Sequence, residues 1–144
     1  EARWDEVDLD TATWTVPAGR MKMQREHRVP LSDRALQILA EACLRADSSG
    51  LIFPSATGRA LSDNTLSKLL RGQGIPAVVH GFRSSFRDWC AECSNAPREA
   101  SELALAHVNS DRVEAAYMRT DLFERRRGLM QSWADYLAQR GPAG

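Results

Sequence analysis

At 144 residues, 43% of them hydrophobic and 26% charged, the chain has the proportions of one globular domain around a single core, and no stretch approaches the length of a membrane span. Nineteen basic side chains balance nineteen acidic ones, which counts against strong independent DNA binding driven by overall charge. No charged-then-apolar leader opens the sequence, and three cysteines cannot all pair within the chain, so a cytoplasmic location is expected rather than a secreted disulfide framework.

The first thirty residues read as strands. "VDLD" and "TWTVP" alternate apolar and polar residues around a polar "DTAT" turn, and "HRVPL" forms a third run after the basic loop "GRMKMQRE". Beyond them the pattern becomes helical. Ser32 caps a helix expected to run to about Asp47, with Leu36, Leu39 and Cys43 facing inward. "LIFPSATGRAL" reads as a loop with a short extended piece. Ser62 or Asp63 then caps a helix carrying Leu66, Leu69 and Leu70, which "GIP" stops.

"HGFRSSFRDWC" opens the next helix, expected to reach about Ser94. Helical spacing puts His80, Arg83 and Arg87 on one side and Phe82, Phe86, Trp89 and Cys93 on another. Asn95 and Pro97 begin "PREASELALAH", with proline in the first turn where its missing N–H costs least. Ser110 caps "DRVEAAYMR", and Asp121 caps a last helix through Phe123, Met130, Trp133 and Leu137, closed by Gly141. The fold class is therefore α+β and mainly α: a small three-stranded antiparallel sheet at the N-terminus followed by a helical bundle, as one domain over residues 1–144.

Cys90 and Cys93 form a C-x-x-C, but far inside a helix, whereas redox pairs of that spacing sit at a helix N-terminus; buried, inert thiols are expected. His27, His80 and His107 lack the clustered spacing of zinc ligands, so neither a metal nor a cofactor is expected. Charge is uneven along the chain. Residues 59 to 90 carry five basic groups (Arg59, Lys68, Arg71, Arg83, Arg87) against two acidic ones (Asp63, Asp88), which makes Arg59, Lys68, Arg71 and Arg87 candidate DNA contacts. Arg87 has a second reading, an ion pair with Asp88 or another carboxylate. The "RRR" of Arg125 to Arg127 reads as a solvated face or a phosphate-backbone contact.

Attack on a phosphodiester builds negative charge on a five-coordinate phosphorus. Without a metal, the reaction needs a nucleophile, cationic donors for the non-bridging oxygens and an acid for the leaving oxygen. Tyr117, Arg83, His80, His107 and Lys22 are residues of the required kinds. Each also has a plain structural reading: a surface or capping H-x-x-R, a core tyrosine (Tyr136 has the same claim), an exposed hairpin lysine, a satisfied helix-end histidine.

Their order outweighs the separate readings. A Lys in a strand-loop-strand, H-x-x-R at a helix start, L-x-H, and a Tyr ten residues on resemble the catalytic half of the tyrosine recombinases, or phage integrases, with wording closest to the prophage integrases. "HGFRSSFRDW", "ELALAHVNSDRVEAAYMR" and "DLFERRRGLMQSWADYL" carry the resemblance, and "RMKMQREHRVPLS" supports it. It implies the recombinase catalytic-domain fold and a role for each residue. Arg83 grips the scissile phosphate and His80 assists proton transfer. His107, in "LAH" where the family more often has L-G-H, bonds a non-bridging oxygen. Lys22, seven residues before Val29, protonates the departing 5′-oxygen, and Tyr117 is the nucleophile.

The resemblance further implies site-specific integration and excision through a 3′-phosphotyrosyl bond and a free 5′-hydroxyl. Energy is conserved in the covalent link, so no cofactor is used. The implied partners are double-stranded DNA attachment sites, other protomers in a tetramer and DNA-bending accessory proteins. The family's first arginine, in a motif like T-G-x-R-x-x-E, has no counterpart here. Arg3 stands too near the strand, so the chain is expected to be a piece lacking that helix and the N-terminal DNA-binding domains, and to be nearly inactive alone. The alternatives are a non-catalytic DNA-binding or interaction remnant of a recombinase and, further off, a type IB topoisomerase.

Overall fold

The computed structural model describes residues 1–107 and 120–139. Strands β1 (Val7–Asp8), β2 (Thr13–Val16) and β3 (His27–Pro30) form one antiparallel sheet in that order, with Trp14 opposite both Val7 and Val29. All three are slightly shorter than the alternation suggests. The first ends early because the Asp8 carboxylate accepts from the backbone N–H groups of Asp10 and Thr11, both at 3.0 Å, which turns the chain.

Five helices follow among the described residues: α1 (Asp33–Cys43), α2 (Thr65–Gly72), α3 (Gly81–Cys93), α4 (Arg98–Ala104) and α5 (Phe123–Gln139). The molecule is thus mainly helical with a small sheet at its start. Ser32 caps α1 by accepting from the Ala35 N–H, and Asp121 receives the Phe123 N–H at the head of α5. α1 stops at Cys43, short of Asp47, and α2 starts at Thr65 rather than beside Ser62 or Asp63. The stop at "GIP" is a left-handed Gly74 (φ 67°). Its N–H bonds the Arg71 carbonyl while the Ile75 N–H reaches Leu70.

The core lies where α3, α4 and α5 meet. Phe86, Trp89, Cys90, Ala100, Leu105 and Leu129 are buried together, with Met130, Trp133 and Tyr136 packed against them. Ring centroids of Trp89 and Trp133 are 5.0 Å apart, and Phe86 meets Trp133 edge-on at 5.6 Å. Tyr136 belongs to this aromatic group, stacked on Trp133 at 5.7 Å, whereas Leu137 is exposed. The last helix packs on its own chain, and Asp33 at the head of α1 donates its backbone N–H to Gln131 of α5 at 3.0 Å.

Several apolar expectations fail at element ends. Phe82 is 54% exposed and Cys93 is also exposed, although both share a stripe with buried Phe86 and Trp89. The middle of α3 faces α4 and α5, while its first and last turns run past them. Cys43 is exposed as well, leaving Leu39 as the buried residue of α1. α2 buries none of its leucines, since no described element covers that face. The "RRR" run is divided: Arg125 is exposed, Arg127 is partly covered, and Arg126 is buried to 1% exposure. Successive helical residues point about 100° apart, so one of three neighbours had to face β3.

Candidate functional site

The C-terminal end of α4 gathers three of the candidate residues. α4 closes with the N–H of Ala106 on the Leu103 carbonyl and that of His107 on the Glu102 carbonyl, with Ala106 left-handed at φ 55°. This is the reversal that usually places glycine at the residue after the cap. It exposes the Leu105 carbonyl, and Arg83 Nη2, from the first turn of α3, donates to it at 2.6 Å. A cation at a helix C-terminus is favoured by the partial negative charge there. The remaining guanidinium donors of Arg83 have no partner among the described residues.

The same reversal turns the His107 ring back over Glu102. His107 Nδ1 lies 2.6 Å from Glu102 Oε2, and the other carboxylate oxygen lies 3.5 Å from Arg87 Nε. Arg87 therefore takes the ion-pair reading, with Glu102 rather than Asp88 as its partner. His80 stands at the N-cap of α3, three residues from Arg83, exposed and without a side-chain bond to the helix.

Lys22 occupies the corner of a tight turn closed by the Gln24 N–H on the Met21 carbonyl at 2.9 Å, in the loop between β2 and β3. It is exposed and bonded to no described residue. The foot of that loop is anchored. Arg20 pairs with Glu6, which also accepts from Trp14 Nε1 and from the Arg3 N–H at 3.1 Å each. Burial works against the Glu6 charge, but the Trp14 and Arg3 hydrogen bonds and Arg20 outweigh it, holding its carboxyl below the ordinary range. Arg3 is itself occupied, its guanidinium reaching the Ser49 carbonyl and lying against Gly50.

His27, on β3, is partly buried at a position that the sequence did not single out. Burial depresses its pKa, and the charges of Arg126 and Arg83 lower it further against the opposing pull of Asp121. Glu102 went unmarked as one acid on a helix, and Arg126, read with its neighbours as a solvated face or a phosphate-backbone contact, is instead buried. Arg126 donates to the Asp121 carbonyl at 2.8 Å, the Asp121 carboxylate at 3.1 Å and the Arg28 carbonyl at 2.7 Å, which ties the head of α5 to β3.

Left-handed non-glycine residues stand beside these positions: Gln24 two residues from Lys22, Ala106 next to His107, and Leu122 at the head of α5. Tyr117 lies outside the described residues. Arg59, Lys68 and Arg71 are exposed around α2, where Arg71 Nε donates to the Ser67 carbonyl at 3.2 Å. Among the described residues, no group of three or more His, Cys, Asp or Glu side chains could hold a metal ion, and no helix is long and apolar enough to cross a membrane.

The profile of the phage integrase family matches residues 1–122. The chain is 42% identical over 139 residues to "Prophage integrase IntA" of Escherichia coli K12, covering 94% of this chain and 33% of that protein. It is 36% identical to the "Integrase" of Enterobacteria phage P4 and 28% identical to that of Shigella phage Sf6, covering 94% and 96% of this chain and 35% and 37% of theirs. It thus spans about a third of the length of these curated relatives. No solved structure matches.

Proposed function

The chain belongs to the phage integrase family, and on that premise we propose that it is the catalytic part of a site-specific DNA recombinase that breaks and rejoins strands through Tyr117. The observation that carries this reading is the convergence on the end of α4, where Arg83 meets the Leu105 carbonyl and His107 stands two residues away. One corner thereby offers the planar fork of an arginine and an imidazole to a single phosphate.

In this reading Arg83 and His107 hold the non-bridging oxygens, and their hydrogen bonds strengthen as charge builds on the five-coordinate phosphorus. His80, beside Arg83, assists proton transfer. The Tyr117 oxygen bonds to phosphorus as the bond to the 5′-oxygen breaks, and Lys22 gives that oxygen its proton. The 5′-hydroxyl of a partner strand later attacks the 3′-phosphotyrosyl bond and releases the tyrosine. Double-stranded attachment sites and other protomers are the partners, with DNA-bending proteins assisting. Arg59, Lys68 and Arg71 contact backbone phosphates.

The family motif T-G-x-R-x-x-E does not occur in residues 1–144, and lacking one such charged donor costs on the order of 100- to 1,000-fold in rate. A polypeptide extended upstream, incubated with a nicked attachment-site duplex, should form a covalent 3′ adduct that Tyr117→Phe abolishes while DNA binding stays nearly unchanged. Adducts that persist in Tyr117→Phe, or equal cleavage by the short and extended chains, would refute this reading.

A further inference from the structure

We propose that Glu102 is the positioning residue for His107, fixing which ring nitrogen meets the phosphate. The inference rests on the integrase reading of the site and adds a residue to it. Glu102 makes two contacts with the same histidine: its backbone carbonyl accepts the His107 N–H at 2.9 Å, and its carboxylate faces Nδ1 at 2.6 Å. A carboxylate can only accept, so the short contact requires the hydrogen on Nδ1. Nε2 is then the ring nitrogen left for the site, and it donates to a phosphate oxygen in the ring that carries both hydrogens.

The carboxylate is itself held. Arg87 addresses its second oxygen from α3, one helical turn beyond Arg83, and Glu102 retains only about a quarter of its side-chain exposure. Arg83, Arg87, Glu102 and His107 thus form one connected group across the α3–α4 junction, joined through the Leu105 carbonyl and the Glu102 carboxylate. An imidazole without such a partner rotates about its side-chain bonds and, as in free imidazoles, carries its hydrogen mostly on Nε2. With Glu102 in place, the ring plane and the tautomer are both set before DNA arrives, which is the general reason functional histidines are backed by carboxylates.

Two measurements test this. In nitrogen-15 NMR of the 144-residue chain, the neutral His107 ring should carry its hydrogen on Nδ1, and Glu102→Ala should return it to the Nε2 form while the His27 and His80 signals stay in place. A native His107 with its hydrogen on Nε2 overturns the proposal. In the upstream-extended polypeptide, Glu102→Ala should slow single-turnover cleavage roughly 10- to 100-fold at unchanged DNA affinity, the scale for losing a partner that orients a functional histidine. In a His107→Ala background the same substitution should cost nothing more, and Glu102→Gln, which can still accept from Nδ1, should recover part of the rate. Equal losses in both backgrounds would mean that Glu102 acts through folding or DNA contact and would overturn the positioning role. If His107→Ala itself leaves cleavage untouched, the integrase reading of His107 falls, while the NMR result still decides the contact.

Discussion

The guanidinium of Arg126 donates to the Arg28 carbonyl at 2.7 Å across 98 residues of sequence, and the same buried side chain holds both the carbonyl and the carboxylate of Asp121. A cation at 1% exposure is stable only because all three acceptors are present. Its planar fork addresses them together, which a single ammonium cannot do. The joint fastens the head of α5, just beyond the stretch that contains Tyr117, to the strand that follows the Lys22 loop.

Arg126→Ala should therefore destabilise the fold by roughly 1–3 kcal/mol, because it removes a buried side chain and takes the donor from the Arg28 and Asp121 carbonyls. Arg126→Lys should recover little of that. Arg125→Ala, at an exposed position one residue earlier, should stay within about 0.5 kcal/mol. Urea midpoints at constant m-value would check the contrast, and equal effects at the two positions would refute the buried joint.

Ala106 adopts φ 55° in the closing turn of α4, where a Cβ is disfavoured by about 1–2 kcal/mol. Ala106→Gly should raise stability by about 1 kcal/mol once the greater freedom of an unfolded glycine is deducted. A lower melting temperature for the glycine variant would contradict the left-handed turn. The resemblance to L-G-H acquires a physical reason here, since glycine suits the residue that turns His107 back over Glu102.

The pKa of His27 is depressed by burial and by Arg126 and Arg83, so the unfolded chain binds that proton more readily than the folded one. Its contribution to stability is fully present above the unfolded value near 6.5 and is lost as pH falls through the folded value. Wild-type unfolding midpoints should decline from about pH 7 to pH 5, and His27→Gln should flatten that decline. An identical slope in the variant would show that other groups set it.

Burial raises the Cys90 thiol to about 11, while Cys43 and Cys93 are exposed. A thiol reagent at pH 8 should modify Cys43 and Cys93 in the native chain and reach Cys90 only on unfolding. Peptide mapping before and after denaturant would distinguish the three. Rapid labelling of Cys90 in the native state would contradict its burial.

Lys22→Ala should slow cleavage by the upstream-extended polypeptide, and a substrate whose leaving 5′-oxygen is replaced by sulfur should restore the rate. A thiolate departs without a proton donor, so rescue identifies the acid. Failure of rescue would move that role to His80.

The elements themselves were legible in the sequence because their signals are local. Alternation marked three strands, Ser32 and Asp121 marked helix starts, and the spacing of Phe86 and Trp89 marked the buried side of α3. H-x-x-R, L-A-H and the hairpin lysine pointed to the family for a related reason, since such motifs are read from residue identities at short spacing. Periodicity could not tell which part of an apolar stripe has a partner. Phe82 and Cys93 share a face with Phe86 and Trp89 yet stand exposed at the ends of α3, and α2 has an apolar face with no described element against it.

By itself, then, the sequence determined the order of elements and the family, because these depend on neighbours within a few positions or on identity alone. Tertiary structure decided which charges are buried and what each one holds. Arg126 is a core residue because β3 supplies a carbonyl 98 residues away, and Arg87 is an ion-pair partner because α4 brings Glu102 beside α3. A charged side chain is stable inside only where its acceptors already stand, and their position is a property of the packed chain.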